Sequence, residues 1–147
     1  MNRYAGLGFQ WSDGWLLLSI ALTATDRPAR LCEVIATADA INHAILTHAE
    51  VDQGIERLLA ARLIVATPAS LAITEEGGRL VQQAGRQTRD IVSQMIALTV
   101  SLEAAEHPTL PPSDCKGTFV SRAEYDAAVN EHHNAFSSAM RKQRPRT

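Results

Sequence analysis

The stretch that decides the fold covers residues 47–64 and reads THAEVDQGIERLLAARLI. Thr47 and Glu50 form a capping-box pattern, in which the threonine oxygen accepts from a free amide of the first turn and the glutamate reaches back. Apolar residues then recur at helical spacing, at Val51, Ile55, Leu58 and Leu59. The stretch therefore predicts a helix that begins after Thr47 and buries one face.

Gly54 lies on that apolar face. A glycine in the middle of a helix costs about 1 kcal/mol relative to alanine. We expect another helix to cross here, because the missing side chain lets two backbones approach closely.

The residues that follow predict a small β-hairpin. Residues 63–66 are apolar and rich in β-branched side chains, residues 67–70 form a turn, and residues 71–73 alternate in polarity. Thr74 is then placed to cap another helix whose positive first turn holds Glu75.

Two helices are predicted before this stretch. Ser12 or Asp13 can cap the first one, which runs to about Thr23 and is apolar nearly all round, as in the centre of a core. Its apolar run, residues 15–22, is far shorter than the ~20 residues that cross a bilayer. Because the charged Asp13 lies just before the run, we expect a buried helix and neither a secretory signal nor a membrane contact. Pro28 fits the first turn of the second helix.

After the hairpin, one long helix is predicted from Arg79 to near Glu106, ended by prolines at 108, 111 and 112. Its apolar positions alternate spacings of four and three, which is the seam pattern of a coiled coil. From this seam we predict a homodimer, with the interface residues Ile91, Met95, Leu98 and Leu102. A second apolar stripe lies beside it, at Val92, Ile96 and Val100, so the helix has two faces to cover. A capping box at Ser121 opens a last helix, followed by a basic tail over residues 141–146.

Composition indicates one globular unit. The chain has 147 residues, a net charge of −2 and 46% hydrophobic residues, which excludes a disordered or highly charged protein. Its two cysteines, Cys32 and Cys115, are too few for a disulfide scaffold, and the apolar context of Cys32 favours a buried thiol. We therefore expect a cytoplasmic protein.

The order helix, helix, tight turn, helix, hairpin, helix resembles the winged helix–turn–helix domain of bacterial transcription regulators. Residues 50–64 are similar to its third helix and first wing strand, and residues 71–80 to its second wing strand and the next helix. The resemblance implies a mainly α fold with a small β-hairpin. It also implies two parts: residues 1–85 as the winged-helix domain and residues 86–147 as a helical dimerisation and C-terminal extension.

In DNA-binding members of that family, the third helix enters the major groove and the wing touches the DNA backbone. Carried over by position, the candidate DNA-binding residues are Thr47, His48, Gln53, Arg57 and Arg62. The same helix carries Glu50, Asp52 and Glu56, and the turn of the wing has no Lys or Arg. Residues 1–80 hold six basic and nine acidic side chains, a poor match to a phosphate backbone.

Two functions therefore stay open from the sequence. One is a DNA-binding transcriptional regulator, in which Gln53 reads adenine and Arg57 reads guanine or holds a phosphate. The other is a winged helix that does not bind DNA and serves as a protein-interaction or assembly module. The expected partners are a second copy of the chain and either DNA or another protein.

No catalytic residue, metal site or cofactor is predicted, so we do not expect an enzyme. His132 and His133 are neighbours on a helix and point about 100° apart, which does not suit one metal ion. His43 and His48 flank the turn before the third helix, and no cysteine or paired carboxylate completes a tetrahedral set with them. Cys32 has none of the exposed, electropositive surroundings of a reactive thiolate.

Overall fold

A computed structural model of the chain describes residues 9–67, 70–104 and 119–143. The elements follow the order α1 (Trp11–Thr23), α2 (Leu31–Asn42), α3 (His48–Ala60), β1 (Ile64–Thr67), β2 (Ser70–Ile73), α4 (Glu75–Gln87), α5 (Ile91–Ala104) and α6 (Arg122–Gln143). Cys115, Pro68 and Ala69 of the turn, the prolines at 108, 111 and 112, and the tail from Arg144 onward lie outside the described residues. The predicted fold class, mainly α with a small β-hairpin, is confirmed.

Helix α1 lies in the centre of the core and packs against α2, α3 and α5. Leu16, Leu17 and Ile20 are completely buried, as expected for a helix that is apolar all round. At its start, Asp13 Oδ2 accepts a hydrogen bond of 2.7 Å from the Gln10 amide. The predicted buried first helix is therefore confirmed.

Helix α1 crosses two other helices at glycines. A Cβ added to Gly54 of α3 would lie 2.8 Å from Leu16 Cδ2 and 3.1 Å from Asp13 Oδ1, so α1 crosses at this glycine as predicted. The nearest atoms of α1 belong to its side chains and not to its backbone. Gly14 of α1 plays the same role toward α5, because its Cβ would lie 2.9 Å from the Met95 carbonyl oxygen. Both crossings depend on the absence of a side chain.

The hairpin closes the three-helix core. Strands β1 and β2 pair antiparallel, with Ile64 opposite Ile73 and Thr67 opposite Ser70. Ala29, between α1 and α2, adds a single bridge to Leu71 of β2. Pro28 lies immediately before this bridge. The predicted start of α2 at Pro28 was wrong, because α2 begins at Leu31.

Thr74 caps helix α4 as predicted, because its Oγ1 accepts 3.1 Å from the Gly77 amide. The same hydroxyl donates 2.8 Å to the Arg62 carbonyl, which joins the start of α4 to the residue that leads from α3 into the hairpin. Gly77 packs directly on this junction.

The single long helix predicted after the hairpin was wrong, because the chain breaks between α4 and α5. Thr88 is extended, with φ −156° and ψ 150°. Asp90 then starts a new helix, since its Oδ2 accepts 3.0 Å from the Ser93 amide and 2.8 Å from the Ser93 hydroxyl. The Asp90 side chain therefore caps a new helix at the point where the backbone hydrogen bonds of one continuous helix were expected.

Helix α6 packs against α2. Arg30 Nη2 lies 2.8 Å from both carboxylate oxygens of Glu131, and His132 Nε2 lies 2.9 Å from Asp39 Oδ2. Tyr125 is buried and its hydroxyl donates to the Leu46 carbonyl. Helices α5 and α6, which belong to the predicted extension, thus pack on the same core as the first three helices. Among the described residues, no helix has the length and apolar character needed to cross a membrane.

Candidate functional site

Three of the five candidate DNA-binding residues are exposed. Thr47 is the N-cap of α3, and its Oγ1 accepts 3.2 Å from the Glu50 amide, as the capping box predicted. Gln53 projects from the middle of α3 into solvent. Arg62 is exposed beyond the end of α3, where its φ of 59° turns the chain toward the hairpin.

His48, another candidate, is engaged with the chain's own C-terminal part. His48 Nε2 lies 2.6 Å from the Val120 carbonyl oxygen, and its ring packs against the Tyr125 ring at a centroid distance of 5.4 Å. One turn further along α3, Asp52 Oδ1 accepts 2.6 Å and 2.9 Å from the amides of Phe119 and Val120. The N-terminal half of α3 is therefore covered by the segment that leads into α6.

Arg57, the fifth candidate DNA-binding residue, does not face outward as that role requires. Its Nε and Nη2 lie 2.7 Å and 2.9 Å from the two carboxylate oxygens of Asp13. The Arg57 side chain is only 12% exposed, and the Asp13 side chain is completely buried. A buried carboxylate needs a charged, hydrogen-bonded partner, and this requirement turns the guanidinium toward α1 and away from any groove.

The exposed face of α3 is consequently acidic. Glu56 is exposed and Glu50 is partly exposed, while Arg57 is already neutralised by Asp13. Arg62, just beyond the end of α3, is an exposed cation, and Gln53 on α3 contributes an uncharged amide. Phosphate binding relies on Lys and Arg to displace counterions, and the described surface of α3 lacks such a cluster.

The predicted dimer residues mostly face the chain's own core. Met95, Leu98 and Leu102 are completely buried within the single chain, where α5 packs against α1. Ile91 is partly buried at the start of the same helix. The spacing of four and three identified the buried side of α5 correctly, but the elements that cover α5 belong to the same chain, chiefly α1 and α4.

The second stripe of α5 is the exposed one. Val92, Ile96 and Val100 are 39%, 50% and 59% exposed, and their spacing of four places them in one row along the helix. Trp11, whose side chain is 45% exposed, begins α1 near this row, since its backbone carbonyl accepts a hydrogen bond of 3.4 Å from the hydroxyl of Thr99. We call Trp11, Val92, Ile96 and Val100 the α5 stripe.

The described residues do not bring together a metal or nucleophilic centre. Within them, no three His, Cys, Asp or Glu side chains are grouped closely enough to hold a metal ion. Cys32 is buried and free, and this burial raises the pKa of its thiol, which keeps the sulfur protonated. His132 is held by Asp39 and is part of the contact between α6 and α2.

Sequence reasoning missed the partners that determine this geometry. Asp13 was predicted as a helix cap, and its pairing with Arg57 depends on a contact between residues 44 positions apart. One signal was present, since an aspartate at the start of a helix that is apolar all round must find a partner when it is buried. Nothing local in the sequence pointed from Asp52 to residues 119 and 120.

A scan against protein-family models, a search of curated proteins and a search of solved structures each found no match to this chain.

Proposed function

We propose that this chain is a winged-helix-type module that assembles with a second copy of itself and does not read DNA through α3. The helix order, the hairpin on the third helix and the bridge at Ala29 are compatible with a winged-helix layout. The observation that carries the proposal is the ion pair between Arg57 and Asp13, because it removes the best-placed cation of α3 from the surface.

The α5 stripe supports the assembly half of the proposal. Helix α5 carries no charged residue between Ile91 and Leu102, and one side of it is already buried against α1. A contiguous row of exposed apolar side chains marks an interaction surface. Trp11 adds a large aromatic side chain of the kind that dominates binding energy in interfaces.

A second copy of the chain is the partner that fits this surface best. Two-fold association places a surface patch against itself, so an uncharged stripe meets no like charge from its copy. A row of side chains with spacing of four packs between the rows of an identical helix at a crossing angle of about −50°. We therefore place the dimer axis near Ile96, the middle residue of the row.

Two measurements test the proposal together. Sedimentation equilibrium of the full chain at about 50 μM should give twice the 16.0 kDa of one chain. Gel shifts with a pool of genomic fragments at low salt should show no complex at about 10 μM protein, a concentration at which non-specific DNA binders already shift DNA. A monomeric mass would contradict the assembly, and a retarded band that Gln53→Ala removes would contradict the loss of DNA reading.

The DNA-binding regulator is the second candidate function, and one observation favours it. Thr47, Gln53 and Arg62 are all exposed on or beside α3, where a groove-binding helix would place its reading residues. In that case Arg62→Ala should weaken the DNA complex and lower its salt dependence, because one phosphate contact is lost. The gel shifts decide between the two functions.

A further inference from the structure

A cavity of about 620 Å³ opens between the hairpin and α6. This volume is typical of sites that enclose most of a small organic molecule. Apolar lining residues come from five elements and from the segment before α6, and they include Leu31, Ile55, Ala66, Leu71, Val120 and Ala128. Its walls come from several packed elements, and the cavity is partly open to solvent.

Two of the three charged residues that line the cavity lie on α6. Glu124 and Glu131 are two helical turns apart and both line the cavity, together with Arg30 of the opposite wall. Arg30 is bound to Glu131 through both carboxylate oxygens. Among the described residues, the carboxylate of Glu124 has no ion-pair partner, and the three charged groups together carry one net negative charge.

The start of α2, which also borders the cavity, does not offer an anion site. Glu33 already accepts 3.0 Å from the Arg30 amide, and Arg27 pairs with the same carboxylate. An anionic ligand would therefore meet two glutamates and a guanidinium that is already neutralised. An organic cation would gain a carboxylate partner on Glu124.

We propose that this cavity binds an organic amine with one positive charge and a compact apolar body. The apolar body lies between Ile55, Leu71 and Ala128, and the ammonium group lies at the carboxylate of Glu124. This inference concerns a different surface from the α5 stripe and does not depend on the assembly proposed above.

The test is a titration of the ¹⁵N-labelled full chain with 2-phenylethylamine. Binding is measured from the NMR chemical shifts of the backbone amides of cavity residues. The matched probes are 2-phenylethanol, which is neutral, and 3-phenylpropanoate, which is anionic. The amine should bind more tightly than both, and Glu124→Gln should weaken its binding by about 1.5-fold to fivefold, the range of one exposed ion pair. Glu56→Gln, an exposed carboxylate on α3, is the matched control and should leave the affinity unchanged.

A second pair of variants locates the site independently of charge. Ala127 lines the cavity and is exposed, so Ala127→Phe should fill the space without disturbing the core and should abolish the shifts. Ala123→Phe changes an exposed residue of α6 that does not line the cavity, and should bind the amine like the wild type. Absence of shifts at about 10 mM amine, equal binding of the anion, or unchanged binding by Ala127→Phe would each overturn the proposal.

Discussion

Arg57 and Asp13 form a bidentate ion pair that joins α3 to the central helix α1. The two nitrogen–oxygen distances are 2.7 Å and 2.9 Å, and the carboxylate has no exposure to solvent. The pair lies beside the Gly54 crossing, where a Cβ would be 3.1 Å from Asp13 Oδ1. The Asp13 carboxylate therefore takes part both in the buried ion pair and in the helix crossing at Gly54.

Removing Arg57 should destabilise the fold. Arg57→Ala leaves the buried Asp13 carboxylate without its cation, and we expect the free energy of unfolding to fall by about 3 kcal/mol. Urea denaturation followed by circular dichroism measures this loss. The double variant Asp13→Asn with Arg57→Ala should be more stable than Arg57→Ala alone, because the stranded charge is gone.

Gln53→Ala is the matched control for this prediction. Gln53 lies one turn before Arg57 on the same helix but is exposed, so its removal should change the free energy of unfolding by less than about 0.5 kcal/mol. If Arg57→Ala were as mild as the control, the ion pair would not be what holds Asp13 in the core.

Alanine substitutions at two adjacent glycines of α4, Gly77 and Gly78, should change the stability of the chain in opposite directions. A Cβ on Gly77 would lie 2.2 Å from the Leu63 carbonyl oxygen, which is backbone and cannot move away cheaply. Gly77→Ala should therefore destabilise the chain by about 2 kcal/mol. Gly78 has open space at its Cβ, so Gly78→Ala should stabilise it by about 0.5–1 kcal/mol through helix propensity. Thermal unfolding of both variants checks the sign, and equal shifts would contradict this account of the α4 junction.

Local patterns predicted the elements of the fold well. The capping box at Thr47, the cap at Thr74 and the glycine crossing at Gly54 are each found where the sequence placed them. Such features depend on residues within one turn or on a single missing side chain. The break at Thr88 was missed because helix propensity and apolar spacing continue through it, while the Asp90 cap competes locally.

The candidate site was harder to predict because it depends on contacts between distant segments. Spacing alone showed that Met95, Leu98 and Leu102 face a partner, yet it could not distinguish α1 of the same chain from a second chain. Likewise, the helical position of Arg57 gave no information on the buried Asp13 that attracts it. Periodicity identifies which face is covered, and only the tertiary arrangement shows what covers it.

The two apolar rows of α5 should separate assembly from folding. Ile96→Glu places a charge on the exposed α5 stripe, and we expect a folded monomer in sedimentation because a two-fold contact would bring two such charges together. Leu98→Glu places the same charge in the core and should abolish the native circular dichroism spectrum. Val65→Glu, which changes an apolar residue of similar exposure on the hairpin, should remain dimeric. If the Ile96→Glu variant remained a dimer, the proposal that the dimer forms through the α5 stripe would be contradicted.

Asp52 should hold the segment before α6 onto α3. Its Oδ1 accepts from the amides of Phe119 and Val120, so Asp52→Ala should speed hydrogen exchange at both amides by about tenfold or more. Glu56→Ala, one turn further along α3, touches neither amide and should leave their exchange unchanged. Slow exchange retained in Asp52→Ala would show that Tyr125 and His48 suffice to hold this segment.

Glu33 makes stability at the start of α2 depend on pH. The Arg27 guanidinium and the Arg30 amide lower the pKa of this carboxyl from 4.5 to about 2. Because the pKa is depressed in the folded state, the contribution is fully present above the unfolded value of 4.5 and is lost as the pH falls toward 2. Arg27→Gln should raise the pKa of Glu33, seen by carboxyl NMR titration, and should flatten the loss of stability in this range. Arg79→Gln, which removes a cation paired with Glu75 and Glu76 on α4, is the control and should leave the titration of Glu33 unchanged. A pKa of Glu33 near 4.5 in the wild type would contradict the ion pair.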